Sequence, residues 1–385
     1  MFAERLVPFG PTIFSEMTKV AEEHGAINLA QGFPDFDAPS EALDEAVRAL
    51  RAGQNQYARS MGHPPLVEAI AWKTEHDYGL RYDPYGEVLV TAGATEAIAS
   101  ALLGLLNPGD EIVFFEPHYD SYPACAAMAG AKSRFCTLRF PDFTLDIDEL
   151  ESCIGERTRA VFINTPHNPT GKVFSRDELE GVAKLCIRHD LLVITDEVYE
   201  HITYDGTEHV SMASLQDMRE RTLTISGAGK TFSMTGWRLG WATGPRDIVA
   251  AVQRAHQYIA FAPATPLQAA LGTVFRSLGD GYFTELREGY EARRSLLLEA
   301  LQSMGLRVAV PRGAYYILSD FTEQWDGDDR SYVGHLIERC GVAAIPASAF
   351  YTVHSDEGKR LVRFAFCKRL ETLSKAVERL HALDR

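Results

Sequence analysis

The chain has 385 residues, 46% hydrophobic and 24% charged, with a formal net charge of −15. This is the make-up of a folded soluble protein longer than one ordinary domain. It argues against nucleic acid as a main partner, which would need clustered Lys and Arg, and against an anionic membrane surface.

From the N-terminus, "MFAERLVPFGPTIFSEMTKV" has no basic start leading into an apolar run, so no secretory signal is expected. No later run reaches the ~20 apolar residues of a membrane span. "INLAQGFPDFDAPSEAL" is loop-like, punctuated by Pro34 and Pro39. Residues 1–40 are expected to form an arm that joins a small domain encoded later. From 41 to 280, short apolar runs alternate with longer helical patterns. The runs at 88–91, 111–115, 160–164, 191–195, 222–226 and 240–244 read as strands, most of them apolar without alternation. Thr95–Leu106 and Asp177–His189 read as helices. Strand–helix alternation predicts an α/β fold with a mostly parallel sheet between helices. Past 280 a long helical pattern precedes "RVAVPRGAYYILSDF", and residues 281–385 are expected to form a smaller α+β domain. The six cysteines are scattered without C-x-x-C pairs, which predicts buried free thiols, no metal site and a cytoplasmic location.

The chemistry-bearing residues follow strand ends. Gly93-Ala94-Thr95 opens a helix after the first run. Asn168 lies in "TPHNPTG", Asp196 and Tyr199 follow "LLVIT", and Lys230 and Arg238 follow "TLTIS". Open α/β sheets bind ligands outside the carboxyl ends of their strands, so these segments should converge on one cleft. The lysine raises a choice. Gly229-Lys230-Thr231 resembles the end of a P-loop, but the first glycine of that motif would fall at Thr224. The dinucleotide fingerprint fails as well, because its third glycine position is Phe232.

Together, Asn168-Pro169-Thr170-Gly171, Asp196-x-x-Tyr199, Lys230 in "GKTFS" and Arg238 in "GWRLGW" resemble the class I/II aminotransferases, the fold-type-I pyridoxal-phosphate enzymes. The likeness extends to "NLAQGFPDF", "NQYARSMGHPPL", "EPHYDSY", "PRGAYYILSDF" and "LVRFAFCK", and is strongest to the kynurenine, glutamine–phenylpyruvate and methionine aminotransferase branch. It implies a large domain with a seven-stranded sheet and a homodimer with shared active sites. It also implies a pyridoxal 5'-phosphate cofactor bound to Lys230 as an aldimine, with Lys230 as the proton carrier. Asp196 would pair with the ring nitrogen, Tyr199 and Asn168 with the ring hydroxyl oxygen, and Tyr119 would stack on the ring. Arg238, Gly93, Ala94 and Thr95 would hold the phosphate, with Tyr57 reaching the neighbouring subunit's phosphate. Arg363 would clamp the substrate carboxylate, with Phe14 and Gly32 at the substrate entrance.

The pattern has departures. Many relatives carry a serine at the position of Gly227, so Ser226 is expected to substitute for it in the phosphate cup. Phe14, Thr95 and Ala262 stand where kynurenine-type enzymes carry aromatic or histidine side chains. No arginine lies in "FAPATPL", where dicarboxylate enzymes place a second clamp. The implied reaction moves an amino group from a neutral, aromatic or sulfur-containing L-amino acid to a 2-oxo acid. The alternatives are another reaction of the same cofactor, such as cysteine-conjugate β-elimination or a decarboxylating or cyclising step, and a cofactor-binding transcriptional regulator. The acidic chain, which opens directly on aminotransferase-like sequence, counts against the regulator.

Overall fold

A computed structural model describes residues 3–382; the extreme ends of the expected arm and small domain, 1–2 and 383–385, lie outside the described residues. Thirteen strands are assigned among the described residues. β1 is Ile27–Asn28, followed by β2 (Val88–Thr91), β3 (Glu111–Glu116), β4 (Lys132–Thr137), β5 (Thr158–Asn164), β6 (Leu192–Asp196), β7 (Thr222–Gly227) and β8 (Gly240–Thr243). The last five are β9 (Arg307–Val308), β10 (Tyr316–Asp320), β11 (Val342–Ala343), β12 (Ile345–Pro346) and β13 (Leu361–Ala365).

Strands β2 to β8 form one seven-stranded sheet in the order β2-β8-β7-β6-β5-β3-β4. All its pairings are parallel except those of β8, which runs antiparallel to β2 and β7. The apolar runs without alternation follow from burial on two faces. Ile112, Phe114, Ala160, Phe162 and Ile194 pack on one side, and Val113, Phe115, Val161, Ile163 and Val193 on the other. The strand at Lys132–Thr137 escapes the sequence patterns because it is an edge. Lys132 and Arg134 face solvent there, and Cys136 alone is fully buried.

The helix at Arg176–Arg188 begins on a capping box, with Ser175 Oγ accepting from Glu178 N and the Glu178 side chain reaching back. The helix at Ala94–Leu105 differs, since Gly93 before it offers no side-chain cap. Its first amides are left to other partners.

The N-terminal arm is tied to the far end of the chain. β1 pairs in parallel with β11, and Ala365 N donates to Leu29 O at 2.8 Å. A second sheet, antiparallel, has the order β12-β13-β10-β9. Its β13 carries Arg363, opposite Leu318 on one side and Ile345 on the other. Among the described residues no helix is long and apolar enough to cross a membrane.

Candidate active site

Strand register assembles the site. Asn164, the last residue of β5, sits opposite Asp196, the last of β6, and Asp196 sits opposite Ile225 of β7. The three strand ends open into a cavity of about 360 Å³. Phe14, Gly32, Gly93, Ala94, Thr95, Tyr119, Asn168, Asp196, Tyr199, Lys230 and Arg238 all line it, although they span more than two hundred residues of sequence.

Asp196 forms the floor. Its Oδ1 accepts from Val198 N at 3.2 Å and its Oδ2 from the Tyr122 hydroxyl at 2.8 Å. Burial pushes its pKa up to about 6, against the pull of those two hydrogen bonds. Asn164 stitches the neighbouring loop to the same strand end: its Nδ2 donates to Asp196 O, and its Oδ1 accepts from Asn168 N, both at 2.8 Å.

Lys230 stands on a single helical turn, Ala228–Thr231, directly after β7. Its Nζ donates to Gly32 O at 3.3 Å and lies 5.6 Å from the Tyr199 ring and 5.5 Å from the Tyr315 ring. Burial lowers its pKa to about 8. Arg238 and Arg363 push the same way, while Cys367 and Asp196 oppose. Gly32 is required for this closeness, because a Cβ there would run into the Tyr316 phenol. Tyr315 fixes the same carbonyl, its hydroxyl donating to Gly32 O at 2.7 Å.

Arg238 adopts a left-handed conformation at φ 51° and is exposed to the cavity mouth. A Cβ on Gly93 would sit 2.9 Å from its guanidinium, so glycine lets the arginine lie against the uncapped helix start. Arg363 stands behind Asn168 and does not line the cavity. It is fully buried, donates to Asn168 Oδ1 at 2.8 Å and Ala30 O at 2.7 Å, and leaves its Nε without a partner. The guanidinium stacks 4.1 Å from the Tyr316 ring centroid.

Besides Arg363, two expected residues stand outside the cavity. Tyr57 is 85% exposed and lies edge-on to Phe261 at 5.3 Å, outside the cavity. Ser226 is a correction. It does not turn into the cavity; its Oγ donates to Glu200 Oε1 at 2.7 Å, on the other side of β7. The alternation of side chains along a strand explains this, because a neighbour one residue away from 227 points to the opposite face. There Ser226 joins a buried cluster in which Glu200 also accepts from Lys73 Nζ and, at 2.6 Å, from Tyr78 OH. Gly227 itself lines the cavity with its backbone.

The sequence patterns missed Tyr122, Asn164, Tyr315 and Tyr316. The last two lie in "PRGAYYILSDF", a stretch whose likeness was noted without roles for its tyrosines.

Comparison with known proteins decides the family. The family description "Aminotransferase class I and II" matches residues 24–380. The chain belongs to the class I and II aminotransferases. It is 44% identical to the probable N-succinyldiaminopimelate aminotransferase DapC of Mycobacterium tuberculosis, over 100% of this chain and 98% of that protein. It is 38% identical to the methionine aminotransferase of Escherichia coli (98% and 97% covered), and 39% identical to kynurenine–oxoglutarate transaminase 3 of Mus musculus (98% and 89%). The solved structure of the M. tuberculosis N-succinyldiaminopimelate aminotransferase superposes with a TM-score of 0.96, each chain covered 100%. This aminotransferase is therefore a fold-type-I, pyridoxal-phosphate-dependent enzyme.

The cavity fits that cofactor. A guanidinium and an uncapped helix start stand at one end, as a phosphate requires. A buried carboxylate stands at the floor, as a basic ring nitrogen requires, and an amine of lowered basicity stands within reach of the centre.

Proposed function

We propose that the aminotransferase takes its amino group from a neutral L-amino acid, with an aromatic or sulfur-containing side chain favoured, and delivers it to a 2-oxo acid. The observation that carries this is the charge of the lining. Among the described residues, Arg238 and Lys230 are the only basic side chains on the cavity wall, and Arg363 stands behind Asn168. Arg363 serves one carboxylate and Arg238 a phosphate, so a second substrate carboxylate finds no cation in this wall.

The roles divide by position. Arg238, the amides after Gly93 and the Thr95 hydroxyl would hold the phosphate, and Tyr119 would cover the ring. Asp196 would hold the proton of the ring nitrogen, and Tyr199 and Asn168 the ring hydroxyl oxygen. Asn168 Oδ1 is engaged by Arg363, which leaves its Nδ2 free for that bond. When bound, pyridoxal phosphate supplies the electron sink that lets the substrate Cα give up its proton. Lys230 Nζ would take that proton and deliver it to the cofactor carbon on the far side of the substrate's amino nitrogen, and its lowered pKa brings it toward working pH. Phe14, Gly32 and Tyr316 would exclude water beside the side-chain pocket. The same reading gives a cytoplasmic homodimer in which exposed Tyr57 reaches the partner's phosphate. It divides the chain into a large domain, 41–280, and a small domain formed by 281–385 with the arm 1–40.

A second reading follows from the full-length relative named as an N-succinyldiaminopimelate aminotransferase, in which the donor is a long acylated amino acid. One experiment separates the readings. The holoenzyme is offered each of twenty amino acids and N-succinyldiaminopimelate, without acceptor, and the cofactor absorbance is followed. Conversion by methionine, phenylalanine or glutamine supports the first reading, and conversion by N-succinyldiaminopimelate alone replaces it. Pyruvate and ammonia released from cysteine conjugates would mark elimination instead.

A further inference from the structure

Asp196 carries the electronic work proposed for the ring, and one side chain, that of Tyr122, hydrogen-bonds its carboxylate. Tyr122 lies in the first turn of the helix Ser121–Met128, directly after β3 and 74 residues before Asp196. Its hydroxyl donates to Asp196 Oδ2 at 2.8 Å, and both groups are buried. The ring cannot swing away, being packed at 4.4 Å on Phe162 and stacked at 6.1 Å on Phe114. The other carboxylate oxygen has only the Val198 amide, at 3.2 Å. The charges that act on Asp196 are Lys230, which favours the anion, and Glu197, which opposes it. Burial raises the pKa of Tyr122 well above the ordinary phenol value, so this hydroxyl keeps its proton and remains a donor.

We propose that Tyr122 is a positioning residue: its hydrogen bond holds Asp196 as an oriented carboxylate, so that the proton shared between Asp196 and the cofactor's ring nitrogen rests on the nitrogen. The inference rests on the proposed pairing of Asp196 with that nitrogen. A carboxylate that loses a buried donor becomes the stronger base and draws the shared proton toward itself. The ring then withdraws fewer electrons, and removal of the Cα proton slows.

The test reads the proton directly. Holoenzyme loaded with ring-¹⁵N pyridoxal 5'-phosphate is compared by NMR as wild type, Tyr122→Phe and Asp196→Asn. Phenylalanine keeps the packing against Phe162 and removes only the hydroxyl. The wild-type shift is expected in the protonated pyridinium range, and Tyr122→Phe is expected to move it toward neutral pyridine. The protonation balance should change about 10–100-fold, as for loss of a hydrogen bond to a charged group. Tyr122→Phe should lower kcat with little change in KM. Dissociation constants give a second readout. Tyr122→Phe should lose roughly 10-fold in affinity for pyridoxal phosphate and much less for the 1-deaza analogue, which has C–H in place of the ring nitrogen. An unchanged ¹⁵N shift in Tyr122→Phe, or equal affinity losses for both ligands, overturns the proposal. An unchanged shift in Asp196→Asn overturns the underlying pairing instead, which keeps the two failures apart.

Discussion

The hydroxyls of Tyr199 and Tyr316 meet at 3.0 Å, the first from the turn after β6 and the second from β10 of the antiparallel sheet. Both are buried, so this contact couples the two sheets beside Lys230. A double-mutant cycle on the cofactor-free protein measures it. Tyr199→Phe and Tyr316→Phe should each lower apparent stability by about 1 kcal/mol. The double variant should cost about 0.5–1.5 kcal/mol less than the sum, since the shared bond is lost only once. Strict additivity would show that the hydroxyls do not interact.

Lys230 predicts a pH dependence with a definite sign. Its pKa falls from the ordinary lysine value of 10.5 to about 8 on folding, so its charged form is disfavoured in the folded chain. Below the folded pKa both states carry the proton and folding bears the whole burial cost, up to roughly 3 kcal/mol. As pH rises through the window between the two values, the unfolded chain holds the proton more, and stability rises. Cofactor-free Lys230→Met should therefore melt above wild type at pH 7, with the advantage shrinking toward pH 10. A constant difference across that range would contradict the account.

As the proposed carboxylate clamp, Arg363 would separate substrate binding from cofactor retention. Lysine keeps the charge but cannot give two parallel donors to a carboxylate or hold Asn168 and Ala30 at once. Arg363→Lys should raise KM for the amino donor about 10–100-fold. Its affinity for pyridoxal phosphate by equilibrium dialysis should stay near wild type. Unchanged kinetics would remove Arg363 from the carboxylate site.

Gly227 occupies the position where a serine was expected. Its φ of −177° is ordinary extended backbone, so the obstacle to a side chain is space. A Cβ would lie 3.1 Å from Leu239 O and 3.3 Å from Gly240 Cα, both backbone atoms of the paired strand end. Gly227→Ser should lower the melting temperature, at a cost of about 1 kcal/mol, without tightening cofactor binding. A stable variant with tighter binding would show that the cup accepts the hydroxyl.

Sheet and cleft were legible because they rest on local signals. Five of the six expected runs lie within one residue of the assigned strand limits, and "AVFIN" needs only two more residues at its start. Lys230, Asp196 and Arg238 meet in one cavity because each lies at or close to a strand end of the same sheet. Three things were not legible. The edge strand at Lys132 exposes Lys132 and Arg134 and fully buries only Cys136, so it lacks the apolar run that marked its neighbours. Tyr122 touches Asp196 across 74 residues and Tyr199 touches Tyr316 across 117, and no local pattern records such a bond. Ser226 was misplaced because a residue type was moved one position along a strand, which reverses the face it presents.

Lys230 is proposed as the lysine that joins the cofactor. Borohydride reduction of the holoenzyme, followed by proteolysis and mass spectrometry, tests it directly. The account predicts the phosphopyridoxyl label on the peptide containing Lys230. A label on Lys73 or Lys368, the two lysines buried deepest among the described residues, would contradict it.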